Sequence, residues 1–145
     1  YTDATAWLSR EKHPDKHTQI ASEIDYFMEL YGTLRPTVFL SYEREAYYAN
    51  DGSDFRVTFD DNILCRQDDL SLASDVYGTP MLPEGKVLME IKCSGGIPLW
   101  MTHMLSEEKI YKTSFSKYGT AYEMLIFPQT HATNSYHMLE VATNA

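Results

Sequence analysis

The chain has 145 residues, 43% of them hydrophobic and 13% aromatic, which suits one folded domain with a buried core and excludes a disordered segment. A net charge of −9 excludes binding of duplex nucleic acid through a broad basic surface, while leaving room for a local basic groove inside an acidic shell. The cysteines Cys65 and Cys93 form no CxxC pair and no apolar run is long enough to span a membrane, so we expect a reduced, cytoplasmic chain without a membrane segment.

The chain opens YTDATAWLSREK, which lacks an initiator Met and the basic start and apolar run of a signal peptide, and it reads as a fragment or a trimmed polypeptide. In HTQIASEIDYFMELYG the apolar residues Ile20, Ile24, Phe27, Met28 and Tyr31 recur at helical spacing, with Gly32 placed to end the helix and Pro36 beyond it. His13 and His17 stand at the spacing of a metal pair, but Pro14 and the polar surroundings mark a solvated helix entry. After Pro36 the period becomes two. TVFLSYEREAYY sets Val38, Leu40, Tyr42, Arg44 and Ala46 on one face, and Phe39, Ser41, Glu43 and Glu45 on the other. The turn cluster NDGSD leads to FRVTFDDNILCRQ, where Phe55, Val57 and Phe59 oppose Arg56, Thr58 and Asp60.

The segment DDLSLASDVYGTPMLPEG is long, acidic and rich in turn residues, as suits a surface excursion. KVLMEIKC then gives a third strand, with Val87, Met89, Ile91 and Cys93 on an apolar face and Lys86, Glu90 and Lys92 on a charged one. Pro98 suits the first position of a helix through PLWMTHMLSEEK, with Met101, Met104 and Leu105 inward. Thr120 and Glu123 match a capping box for a last short helix stopped by Pro128, although YEMLIF reads equally as a strand. From Gln129 the tail is polar and aperiodic.

Nucleotide-loop, serine-nucleophile and zinc motifs fail on inspection. In GTPMLPEGKV the interval from Gly78 to Gly85 is too long for a P-loop, and Val87 stands where a Ser or Thr must reach magnesium. Ser114 and Lys117 in SFSK lack the companion Ser-Asp-Asn and Lys-Thr-Gly motifs, and no Cys and His set has zinc spacing. What remains is Arg44, Arg56, Lys86 and Lys92 with Glu90 on strand faces. Such faces are commonly just solvated. In a closed sheet, inward cations instead require an anionic ligand, because unpaired buried charge is strongly disfavoured; phosphate chains meet that need with many acceptor oxygens.

SYEREAYY, FRVTFDDNI, VLMEIKC and SFSKYGTAYE, in this order, resemble the second half of the vacuolar transporter chaperone (VTC) domain of bacterial polyphosphate polymerases, within the triphosphate tunnel metalloenzymes. The resemblance runs from about Gln19 to Phe127. It implies an α+β fold in which an antiparallel sheet forms part of a basic β-tunnel with helices outside, including the helix of Ile24 and Phe27 beneath Val87, Met89 and Ile91. Residues 1–128 would be the C-terminal half of the tunnel domain and 129–145 a polar tail.

By the same resemblance Arg44, Arg56, Lys92 and Lys117 take catalytic, phosphate-binding roles. Lys86 adds a substrate-binding tunnel cation, and Ser116 a phosphate-contacting hydroxyl. Glu90 becomes the carboxylate for a divalent Mn or Mg. The implied activity is transfer of the terminal phosphate of ATP to a growing polyphosphate chain, with no nucleic acid partner. A tunnel phosphohydrolase and a non-catalytic polyphosphate-binding module stay open beside it. The family's opening strands, with their own Arg and Lys pairs, lie outside these residues, which implies completion by an N-terminal half or by a second copy.

Overall fold

The computed structural model describes residues 1–14, 18–32 and 34–129 and shows a mixed α and β chain built on one antiparallel sheet. Helix α1 spans Thr2–Leu8 and α2 spans Gln19–Tyr31; Trp7 Nε1 donates to Asp25 Oδ1 at 2.8 Å and ties the two together. Thr18 caps α2 by accepting from the Ala21 N–H, and Gly32 ends it at φ +73°, a conformation that glycine adopts without steric cost. The sequence reading contained α2 and its glycine stop but not α1. His17 lies outside the described residues, and so does the tail from residue 130; His13 instead faces Asp25 at 3.6 Å.

Strands β1 (Phe39–Tyr48) and β2 (Arg56–Arg66) form the long hairpin that the alternating pattern predicts. On the far side of β2, the short β3 (Thr79–Pro80) pairs with its second half and β4 (Leu88–Lys92) with its first. The sheet therefore has four strands with β2 central, and its described strands stay open and do not close into a barrel.

A bulge divides β2 into two chemically different halves. The register slips by one residue opposite Ser41 to Glu43, and Asn62 takes φ +47°, a left-handed conformation that Asn tolerates better than most residues. Ahead of the bulge, Phe55, Val57 and Phe59 pack with Met89 and Ile91 against Met101 and Leu105 of α3 (Leu99–Glu107). Past it, Ile63 and Cys65 turn to the opposite face and pack with Val38, Leu40, Leu88 and Met81 around Ala121 of α4 (Lys117–Ala121). One face of the sheet is thus apolar at one end and polar at the other.

Several helix expectations change. The helix under Met89 and Ile91 is α3, not α2; Phe27 is half exposed, and Val87 precedes β4 and is 51% exposed. Pro98 is the N-cap of α3 and not its first residue, and Met104 faces outward beside buried Met101. The last helix starts earlier than the Thr120 capping box: Ser116 caps α4 by accepting from Gly119, and the chain continues through a π turn, Tyr122–Ile126, to a helical 127–129. Pro128 lies within the helical 127–129, the last described residues.

The excursion between β2 and β4 is pinned by one side chain. Arg66, buried between Phe39 and Tyr77, donates to the carbonyls of Asp68, Asp69, Asp75 and Tyr77. The loop then returns so close to β2 that a Cβ on Gly78, at φ +153°, would stand 2.6 Å from the Cys65 carbonyl oxygen. Gly78→Ala should cost about 1–3 kcal/mol in chemical denaturation, as overpacking against rigid backbone does; an unchanged midpoint would show that the loop yields freely.

Candidate functional site

The polar half of the sheet face is a grid set by strand register. Arg44 lies across from Asp60 and Leu88, Ala46 from Thr58 and Glu90, and Tyr48 from Arg56 and Lys92. Directly paired residues share a face with their Cβ atoms about 5 Å apart, so these side chains converge. Arg44, Ala46, Tyr48, Arg56, Thr58, Glu90 and Lys92 line a cleft of about 130 Å³. Arg56 and Lys92 also edge a wider groove of about 640 Å³ that runs past Asp54, Cys93, Ser94 and Ile97. Two cations thus border both spaces.

Asp60 is the anchor of the cluster. Its side chain is fully buried, with Arg44 Nε 2.5 Å from Oδ1 and Arg44 Nη2 2.7 Å from Oδ2 in a bidentate fork. Lys117, carried across by α4 as it covers the apolar end of the same face, places Nζ 2.5 Å from Oδ2. The Arg44 fork holds the Asp60 carboxyl well below the usual range against the opposing effect of burial, with Lys117 adding to it; Asp60 in turn pushes the Arg44 guanidinium up. Both cations also lie over the Tyr42 ring, at 4.9 Å for Arg44 and 4.7 Å for Lys117. The inward cations are therefore not all unpaired, contrary to the simplest view of a basic lumen.

Glu90 is less committed. Lys92 Nζ sits 2.7 Å from its Oε1, while Oε2 is 3.9 Å from Arg44 Nη2. The Lys92 hydrogen bond lowers its pKa most, so the carboxylate is ionised at neutral pH. Among the described residues no group of three or more His, Cys, Asp or Glu could hold a metal by itself. A hard divalent ion would find at Glu90 one carboxylate oxygen, Oε2, outside the Lys92 hydrogen bond. Beyond the strand pairing of its backbone, Arg56 makes no side-chain hydrogen bond or ion pair among the described residues, so its guanidinium donors are uncommitted.

Of the residues singled out from the sequence, the structure brings Arg44, Arg56, Glu90, Lys92 and Lys117 together. Lys86 precedes β4, and Ser116, next to Lys117, caps α4 by accepting from Gly119; neither lines the cleft. Sequence reasoning placed Asp60 and Thr58 on the cation face without giving them a role. The available signal was a carboxylate and a hydroxyl alternating with Arg56 on a strand flanked on both sides, hence buried. Four cations here face two carboxylates, a local positive excess in a chain of net charge −9. No helix among the described residues is long and apolar enough to cross a membrane.

The family model for the VTC domain matches residues 2–126. No curated protein and no solved structure matches the chain.

Proposed function

Because the chain belongs to the VTC domain family, we propose that its cationic sheet face is one wall of a polyphosphate polymerase site, moving the terminal phosphate of ATP onto a growing chain. The observation that supports this reading is the convergence of Arg56, Lys92, Arg44 and Lys117 around Glu90 on a single face. Arg56 and Lys92 bind and orient phosphate oxygens, and Arg44 and Lys117 add positive field from positions fixed by Asp60. No protein nucleophile is needed, since the acceptor is the terminal oxygen of the chain and ADP is the leaving group. Glu90 would be the carboxylate that holds Mn or Mg, and the ion would supply charge neutralisation for phosphoryl transfer.

The remaining wall is proposed to come from strands beyond these four, in an N-terminal half of a longer polypeptide or in a second copy, which would close a tunnel. Residues 1–128 then form the C-terminal half of that domain, in a cytoplasmic setting.

The test is incubation of the full-length protein, with both walls of the tunnel present, with ATP and Mn, followed by gel electrophoresis and phosphorus resonance. Polymer is the expected product. Free orthophosphate without polymer would move the assignment to a phosphohydrolase. No turnover with retained tripolyphosphate binding would leave a binding module. Tripolyphosphate affinity measured by calorimetry should also fall as salt rises from 50 to 500 mM, because the exposed Arg56 and Lys92 contacts are screened over a Debye length of about 10 Å at 0.1 M. A salt-independent affinity would argue against charge recognition.

A further inference from the structure

At the centre of the grid sits a side chain that the cation cluster does not explain. Thr58 lies on the central strand with Ala46 on one side and Glu90 on the other. It is 9% exposed, and its Oγ1 is buried with no hydrogen-bond partner. Buried hydroxyls are almost always partnered, and an unpartnered one costs stability. Valine has the same shape and a higher strand preference, so packing alone would favour it. Thr58 nevertheless lines the cleft together with Arg56, Glu90 and Lys92.

The neighbours define what the hydroxyl can meet. Ala46 offers no side-chain polar atom, and Glu90 is engaged by Lys92 at 2.7 Å and makes no bond to Thr58. Arg56 and Lys92 offer only donors. An incoming group that satisfies all three must present several acceptor oxygens to donors of different reach, which a tetrahedral phosphate does.

We infer that the Thr58 hydroxyl is a further ligand-binding group of this cleft, donating to an oxygen of a phosphate held by Arg56 and Lys92. This rests on the phosphate-binding reading above and adds to it a floor contact that is neutral and insensitive to salt. The hydroxyl provides orientation, since a single donor buried between Ala46 and Glu90 meets only one oxygen of the group.

Calorimetry with tripolyphosphate in EDTA, on the full chain, separates the possibilities. Thr58→Val should weaken binding about tenfold, the loss of one hydrogen bond to a charged acceptor. Thr58→Ser should restore affinity to within about twofold, because it returns the donor. The melting temperature of unliganded Thr58→Val should equal or exceed that of the unaltered chain, a sign opposite to that of a structural hydroxyl. Should Thr58→Val fail to fold, Thr58→Ala carries the same comparison. Equal affinities of the unaltered and Val chains would overturn the inference while leaving the phosphate reading intact. A loss seen only when Mn replaces EDTA would also overturn it, by placing the hydroxyl on the metal. No binding by the unaltered chain would overturn the reading and the inference together.

Discussion

Asp60→Asn should lower the stability of the chain by about 1–3 kcal/mol, the cost of leaving strong donors without their charged acceptor. The loss should stay below the ~3–5 kcal/mol of a wholly buried pair, because the side chains of Arg44 and Lys117 are 35% and 16% exposed and can regain water. Asn keeps the shape but offers one acceptor oxygen where the Arg44 fork and Lys117 use two. The pH dependence has a definite sign. Asp60 has its pKa lowered on folding, chiefly by Arg44, so its contribution is full above the unfolded value of about 3.9 and is lost as pH falls through the depressed native value. Denaturant midpoints measured from pH 7 down to pH 2 should therefore converge for the two proteins at the acid end. A Lys117→Met partner in a double-mutant cycle should show positive coupling with Asp60→Asn; additive losses would mean that the short contact carries no energy. Since Lys117 starts α4, the double variant also reports whether that helix is held to the sheet by this ion pair or by the packing of Ala121.

What could be read beforehand divides along a physical line. The strands and their charged face were legible because side chains alternate with period two, a property of local backbone geometry. Helix α2 was legible for the same reason at period 3.6, with Gly32 as its stop. The bulge at Asn62 was not, since one residue in a left-handed conformation leaves no periodic trace; without it Ile63 and Cys65 would extend the face of Val57, and α4 would have no apolar surface near Asp60. The Asp60–Lys117 contact joins residues 57 apart in sequence and depends on that bulge, so it is tertiary throughout. Lys86 and Ser116 show the converse. Both stand near site residues in the chain, yet β4 starts only at Leu88, and the Ser116 hydroxyl accepts from the first turn of α4, a contact that alternation along the chain does not signal.

The same geometry separates two arginines that sequence patterning treats alike. Arg44 gives its fork to Asp60, so Arg44→Ala should reduce stability as well as phosphate affinity. The Arg56 side chain has no hydrogen-bond or ion-pair partner among the described residues and lines the cleft and the groove, so Arg56→Ala should leave the melting temperature unchanged or slightly raised. Its effect belongs to the ligand. Loss of a charge-assisted hydrogen bond is worth roughly 1.5–3 kcal/mol, which is about a ten- to hundredfold weaker Kd for tripolyphosphate. Arg56→Lys should recover part of that, because a point charge remains while the planar fork is lost. Lys12→Ala serves as the control: its exposed pair with Asp3 lies on the first segment, and surface pairs of this kind contribute little. Calorimetry and thermal melts on these variants would place Arg56 on the ligand and Arg44 on both fold and ligand. If Arg56→Ala bound tripolyphosphate as tightly as Lys12→Ala, the open cations of this face would be serving water alone.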